Sequence, residues 1–407
     1  MALLSFDDAR QQLLASAVAC DDSEACPLSE AWGRILASDI AAPFDVPGFD
    51  NSAMDGYAIR MADYEAALTN TQTANALAVL PISQRIAAGD APTPLKQGTA
   101  ARIFTGAPLP AGADTVVMQE DTQTGEAGVT ITARPKPGQH VRKRGNEMRT
   151  GDAVMQAGSR LGAGHIGLAA SLGLASLKVR RRLRVALFFT GNELVEPGLA
   201  LGPGQIYNSN RYLLRAFLQG LPIDIIDLGV IPDNLEATRT ALRTAAAQAD
   251  VILTSGGMSV GDEDHVKPAV EAEGELTLWK IAVKPGKPVA FGRVGSATFI
   301  GLPGNPVAVW VAGITLLRPY LRKRLGMSDC DIASRSCIAD FTWKGGQRRE
   351  FLRVRLQNNG RMTLHPNQDS SAVSTAAWAS GLADIPAHAS IEPGDSVAYW
   401  PAPEFND

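Results

Sequence analysis

A chain of 407 residues, 45% hydrophobic and 20% charged, is long enough for two to four globular domains. Its net charge of −4 lacks the basic excess on which nucleic-acid binding relies, so no nucleic-acid partner is expected. No stretch approaches the roughly 18 uninterrupted apolar residues of a membrane span, so no membrane partner is expected either.

From the N-terminus, Phe6, Ala9, Leu13, Leu14 and Ala17 have helical spacing, with Ser5 as candidate N-cap. Met1 to Arg10 lacks the charged and apolar regions of a secretory signal. The four cysteines (Cys20, Cys26, Cys330 and Cys337) show no CxxC spacing and read as reduced thiols, which points to the cytoplasm. None of the five histidines sits in a zinc-binding pattern. A Pro-rich extended stretch covers residues 42 to 50. Residues 51 to 145 hold short apolar runs broken by Gly and Pro, such as Arg102-Ile103-Phe104 and Thr115 to Met118, and favour a small β-rich domain. Helical patterning returns at Ala163 to Ser171. The basic runs Arg142 to Arg144 and Arg180 to Arg182 read as solvated edges of elements.

From Val185 strands and helices alternate. Val185 to Phe189, Ile223 to Leu228 and Val251 to Leu253 read as strands. Asn210 to Gln219 reads as a helix ended by Gly220, and a second helix runs to Ala249 with Asp233 as candidate N-cap. Such alternation implies a doubly wound parallel sheet that binds ligands at the carboxyl ends of its strands. After Asp331 strand-like runs return. Phe351 to Leu356 alternates, and Asp395 to Trp400 could close a small β-domain.

Three segments between 250 and 310 point to chemistry. They are Thr254 to Gly261, Lys284-Pro285-Gly286-Lys287-Pro288, and Gly301 to Pro306. Gly256, Gly257 and Gly304 let the backbone approach a ligand closely, and lysines between two such loops put positive charge in the same crevice. The reading is a site for a phosphate-bearing small molecule; ordinary βα turns are the alternative. Asp55, Glu193, Asp262 and Asp264 stand beside such loops, and carboxylates converging on a phosphate site suit Mg²⁺. Each has a plainer reading, as a turn residue for Asp55 and as helix-terminal acids for the others. Lys280, Lys284 and Lys287 could equally be solvated strand-edge lysines. There is no Walker loop and no catalytic-triad spacing.

Seven segments in one order carry a specific resemblance over nearly the whole chain. They are Ser52 to Ala58, Arg102 to Ala107, Arg144 to Glu147, Thr190 to Leu194, Ser255 to Gly261, Lys284 to Pro288 and Gly301 to Pro306. Together they resemble the MoeA family, the molybdopterin molybdenumtransferases, which includes the E domain of gephyrin. The resemblance implies a multidomain α/β homodimer. Residues 1–50 with 146–183 would form a helical and extended linker and dimerisation domain, 51–145 a β-rich domain, 184–328 a molybdopterin-binding α/β domain like that of adenylyltransferases, and 329–407 a C-terminal β-domain.

The activity implied is insertion of molybdate into adenylylated molybdopterin, with Mg²⁺-dependent release of AMP. A molybdopterin-adenylylating enzyme and later maturation proteins are the implied partners. By motif, Asp55, Glu193, Asp233 and Asp264 resemble the acidic catalytic group, with Asp55, Glu193 and Asp264 as metal ligands and Asp55 supplied by the other subunit. Lys280 and Lys284 resemble phosphate or pterin contacts, and Lys284 with Lys287 the molybdate-proximal pair. Thr105, Gly256, Gly257, Ser259, Pro303 and Pro306 complete the binding motifs, and Arg353 and Ser370 resemble oxyanion contacts. Three residues depart from the family pattern: Asn192 for Asp, Glu147 for Asp and Ala308 for Ser. Competing readings are a molybdopterin adenylyltransferase and a catalytically weak scaffold of the same fold.

Overall fold

A computed structural model describes residues 3–69, 77–257, 265–286, 288–331 and 334–402. The chain divides into two compact units, Asp39–Met155 and Met1–Ser38 with Gln156–Asp407.

The smaller unit is built on a four-stranded sheet. Its strands are β1 (Gly56–Ile59), β2 (Ile82–Ile86), β3 (Ala100–Ile103) and β4 (Thr115–Met118), in the order β2-β3-β1-β4. Every residue of β1 is buried because both faces are covered. Tyr57 and Ile59 enter one apolar cluster, and Ala58 joins Ile103 and Val116 in another. At Gly56 a Cβ would lie 1.9 Å from the Val117 carbonyl oxygen, so this position tolerates no side chain. A three-stranded sheet of Ala78–Leu80, Gly128–Ile131 and Thr122–Gly125 completes the β-rich unit.

In the larger unit, α1 (Phe6–Ala15) begins at Ser5, whose hydroxyl accepts the Asp8 N–H, as the sequence predicts. The α/β part contains β5 (Leu183–Thr190), α2 (Ser209–Gln219), β6 (Ile223–Ile231), α3 (Leu235–Gln248), β7 (Val251–Ser255) and α4 (Val266–Glu273). It continues with β8 (Gly274–Lys280), the two-residue β9 (Val283–Lys284), β10 (Pro288–Val294), β11 (Ala297–Leu302), α5 (Pro306–Ala312) and α6 (Arg318–Arg324). The sheet order is β6-β5-β7-β11-β10-β8.

The expected α/β multidomain architecture is present, with one refinement. Four strands are parallel, but β10 pairs antiparallel with both β11 and β8. The inner parallel strands β5, β7 and β11 are almost wholly buried because helices cover both faces, whereas the edge strand β6 carries Asp224 and Asp227. Val185, Leu187 and Phe189 face a core shared with α1, α2, α5 and α6, while Ala186 and Phe188 pack on α3 and α4.

The C-terminal segment is a small barrel. Strands β12 (Arg335–Ala339), β13 (Arg349–Leu356), β14 (Arg361–Leu364), β15 (Gly381–Ile385) and β16 (Ser396–Pro401) run β13-β14-β12-β16-β15, and β13–β15 pairing closes the circle. The alternation read in Phe351 to Leu356 does not separate a wet face from a dry one. Phe351 enters the core around α1, Leu352 and Val354 enter the barrel core, and Arg353 is 1% exposed.

Two local readings are corrected. The N-cap of α3 is Asn234, whose side chain accepts the Ala237 N–H, and not Asp233. In the arginine run at 180–182 only Arg182 is exposed, and the other two are tied down. Arg181 makes two 2.8 Å hydrogen bonds to Asp250, and Arg180 donates to the Cys20 carbonyl at 2.6 Å. In the other run, Lys143 pairs with Asp50 and Arg144 with Asp45. Among the described residues, no helix is long and apolar enough to cross a membrane.

Candidate active site

Parallel strands end on the same edge, so the loops after β5, β6, β7 and β11 share one side of the sheet. Two antiparallel steps bring β8 back into the same direction, and its end at Lys280 falls on that edge too. Glu193, Asp233, Gly256, Gly257, Pro303, Pro306, Lys280 and Lys284 therefore stand along one carboxyl edge.

Contacts link them. Thr190, at the end of β5, donates its hydroxyl to Asp233 at 2.7 Å. Gly257 has φ +63°, and a Cβ there would lie 2.4 Å from a Val266 methyl and 3.4 Å from the Thr190 methyl. The Gly256 N–H donates to the Leu302 carbonyl at 3.1 Å, and a Cβ on Gly304 would lie 3.7 Å from the Gly256 Cα. The two Gly-rich loops thus pack directly on each other. Asn210 braces them by donating to the Gly304 carbonyl at 2.7 Å. Glu193 is exposed, its carboxylate folded toward Gly191, where a Cβ would meet Oε2 at 2.5 Å.

The lysine turn is fixed from two sides. Leu4 donates to the Lys280 carbonyl at 2.9 Å and accepts from Ala282 at 2.8 Å. β9 pairs in parallel with β13, Lys284 opposite Glu350. Lys284 Nζ lies 3.5 Å from Glu350 Oε1. Gly286 has φ +93°, with Ala308 Cβ and Pro303 Cγ 3.1 and 3.2 Å from where its Cβ would be. Ala308, one of the three departures, is thus buried beneath the turn. A Ser hydroxyl at that position would be placed under Gly286 as well. The other two departures, Asn192 and Glu147, are exposed.

Above the turn opens a cleft of about 600 Å³, lined by Lys284, Pro285 and Gly286 on one side and Arg348, Asn367, Gln368, Asp369 and Ser370 on the other. Asn305 donates to the Ser370 hydroxyl at 2.8 Å, and the Val307 N–H donates to the Ser370 carbonyl at 3.2 Å. The barrel loop and the loop after β11 are therefore one wall. Arg353 lies behind it, donating to the Asp369 carbonyl at 3.1 Å and to Thr375 at 3.2 Å. Burial pushes its guanidinium down to about 10, opposed by Asp369. In this conformation it braces the loop from below. Asp369 is held below the usual carboxylate range by the backbone N–H and hydroxyl of Ser371.

Asp55 belongs to the smaller unit. The Thr105 N–H and hydroxyl both donate to its Oδ1 at 2.7 Å, and these bonds, with Arg102 nearby, lower its pKa. Ser259, Asp264 and Lys287 lie outside the described residues. Among the described residues no three His, Cys, Asp or Glu side chains converge as a metal site. Sequence reasoning missed Thr190, Asn210, Arg348 and Glu350. Glu350 adjoins Phe351-Leu352-Arg353, but only strand pairing reveals its partner.

These features define a multidomain α/β protein with Gly-rich loops, lysines and acids gathered along one sheet edge. Three family descriptions match along the chain: the MoeA N-terminal region (domain I and II) over residues 4–173, a probable molybdopterin binding domain over 186–323, and the MoeA C-terminal region (domain IV) over 338–402. A molybdopterin molybdenumtransferase of Haemophilus influenzae is 42% identical over 325 residues, 80% of this chain and 78% of that protein. Molybdopterin molybdenumtransferase 2 of Mycobacterium tuberculosis is 36% identical over 385 residues, 92% and 94% of the two chains. The crystal structure of the molybdopterin biosynthesis MoeA protein from Pyrococcus horikoshii, 31% identical, superposes with a TM-score of 0.84 over 98% of this chain and 99% of that one. The chain belongs to the MoeA family, the transferases of molybdenum cofactor biosynthesis.

Proposed function

We propose that this protein inserts molybdate into adenylylated molybdopterin, with Mg²⁺-dependent release of AMP. The observation that carries this reading is the cleft of about 600 Å³ above Lys284, walled by Arg348, Gln368 and Ser370 and joined to the Gly-rich loops through Asn305. Ammonium, guanidinium and hydroxyl donors suit a tetrahedral oxyanion, while the Gln368 amide is taken up by the Arg353 and His365 carbonyls. Since the barrel supplies half of this wall, the reading is favoured over an adenylyltransferase built from the α/β domain alone.

In this scheme Lys284, with Lys287, holds molybdate and Ser370 orients it. Arg353 supports the loop that carries Ser370. Lys280, Gly256, Gly257, Ser259, Pro303 and Pro306 shape the pterin and phosphate subsite. Glu193 and Asp233 offer oxygen donors, with the Thr190 hydroxyl beside Asp233, a set chemically suited to a hard cation. Mg²⁺ bound by these acids with Asp264 would neutralise charge on the phosphate that leaves with AMP. Asp55, oriented by Thr105, is supplied from the second subunit of a homodimer. The protein would work in the cytoplasm, between the enzyme that adenylylates molybdopterin and the proteins that receive the cofactor.

The test is AMP release from adenylylated molybdopterin by the purified protein with Mg²⁺, in the presence and absence of molybdate. The expected result is molybdate-dependent release yielding cofactor that reconstitutes an apo-enzyme. Tight nucleotide binding without any release would refute the reading and favour a scaffold.

A further inference from the structure

Glu350 is 5% exposed, yet it lies at the edge of a cleft where anions are proposed to bind. A buried carboxylate is costly unless paired and hydrogen-bonded. Here one oxygen accepts the Trp343 indole N–H at 2.9 Å, and the other faces Lys284 Nζ at 3.5 Å. That second oxygen is also crowded by the backbone, because a Cβ on Gly346 would lie 3.2 Å from it. The preceding residue in the strand, Arg349, is turned away and occupied by Asp384 and Asp7. Arg348 donates to the Val283 carbonyl at 3.0 Å. Among the described residues, the cation paired with Glu350 is therefore Lys284, placed opposite it by the β9–β13 pairing.

We infer that Glu350 is a positioning residue that holds the Lys284 ammonium at the wall of the oxyanion cleft. The inference rests on the proposed reading of that cleft. A half-exposed lysine on a four-carbon stem has many rotamers and would otherwise spread its charge over the cleft mouth. Glu350 is itself locked by Trp343, so it offers a fixed anchor from the barrel side. The carboxylate is needed for its two acceptors. A carboxamide has one, so in Glu350→Gln either Trp343 or Lys284 faces an NH₂ group, and two donors are set against each other.

The experiment measures molybdate affinity by titration calorimetry for wild type, Glu350→Gln, Glu350→Asp, Lys284→Met and the Glu350→Gln/Lys284→Met double variant. Glu350→Gln is expected to weaken binding about tenfold, the size of a charge-assisted contact. Glu350→Asp keeps both acceptors and should fall between it and wild type. In the Lys284→Met background, Glu350→Gln should have no further effect, because the two act as one unit. Unchanged or tighter binding in Glu350→Gln, or a full effect persisting without Lys284, would overturn the inference. A ligand-free readout accompanies it, the rate of Lys284 acylation by an amine-reactive ester, followed by mass spectrometry. Loss of the pairing should raise that rate several-fold in Glu350→Gln, and an equal rate in both proteins would overturn the inference whether or not molybdate binds. Failure of the wild type to bind molybdate would count against the oxyanion cleft itself, and the acylation rate alone then decides whether Glu350 holds Lys284.

Discussion

Lys284→Ala separates the binding role of this lysine from its structural one. The side chain is 49% exposed and, among the described residues, makes one ion pair, at 3.5 Å, with a carboxylate that keeps its 2.9 Å bond to Trp343 when the lysine is gone. Lys284 is half exposed but Glu350 is 5% exposed, so the stability cost includes a buried carboxylate left on its Trp343 bond, roughly 1–3 kcal/mol. A cation contacting a dianion contributes to binding by roughly 1.5–3 kcal/mol, the size of a charge-assisted hydrogen bond. Half-exposure favours the lower part of that range, so molybdate should bind about 10- to 30-fold more weakly. The assay is the molybdate dependence of AMP release at fixed nucleotide, beside a urea unfolding curve. The expected pattern is a raised molybdate requirement in a variant that still unfolds cooperatively, at a lower urea midpoint. An unchanged requirement in a folded variant would remove Lys284 from the oxyanion site.

Gly286→Ala tests whether the turn's shape matters as well as its charge. With φ at +93° and neighbours 3.1 and 3.2 Å from the new Cβ, the variant should lose about 1–2 kcal/mol of stability and bind molybdate less tightly. Unaltered stability and binding would contradict the close fit over Ala308 and Pro303. Asp250→Asn probes the arginine clasp. Burial raises the Asp250 pKa, but bonds from Arg181 and Arg184 overcome this and bring it to about 2, below the model-peptide value of 3.8. A lowered folded pKa gives stability that is complete above about pH 4 and lost as pH falls toward 2, roughly 2 kcal/mol here. The Asn variant should be less stable at pH 7 and lose that part of the acid dependence, as measured by denaturation between pH 2 and 7. Thr105→Val removes one of the two donors that lower the Asp55 pKa, so the acidic limb of the pH–rate profile should move to higher pH. A limb that stays in place would take Asp55 out of the rate-determining ionisations.

Local signals in the sequence located most elements. Ser5 caps its helix, Ala163 to Ser171 is helical, and the apolar runs at 185, 223 and 251 are strands of one sheet. Their errors share a cause. Asp233 and Asn234 are both competent N-caps by chemistry, and the choice was made by Thr190, 43 positions away in sequence, which engages Asp233. Arg181 looks solvated until Asp250 is brought beside it by β5–β7 pairing. Likewise, β8 and β10 were unreadable as an antiparallel pair, because a buried run has the same composition in either direction. The lysine turn and both Gly-rich loops were legible as a cluster because strand-to-helix junctions in this fold share an edge. Glu350 was not, because its role depends on a two-residue pairing between segments more than 60 residues apart.

That pairing also explains how a long chain places a small site. The core that contains Phe6 of α1 also contains Leu187, Ile281, Val283, Trp310 and Phe351, so the N-terminal helix, the sheet, the lysine turn and the barrel share one apolar cluster. Phe6 packs edge-on against Phe351 with centroids 5.0 Å apart, and Leu4 bonds to both sides of Ile281. Ile281 and Val283 alternate with Ala282 and Lys284, and their burial in this cluster leaves Lys284 half exposed at the cleft. The lysine's direction is thus set by which of its neighbours are apolar, with the period-two geometry of an extended segment as the link. A register change of one residue would exchange the buried and exposed sets, and the core would resist it through every side chain in the cluster. Position in the cleft is therefore inherited from packing, and the polar contacts of Glu350 and Ser370 act on a backbone already fixed by hydrophobic burial.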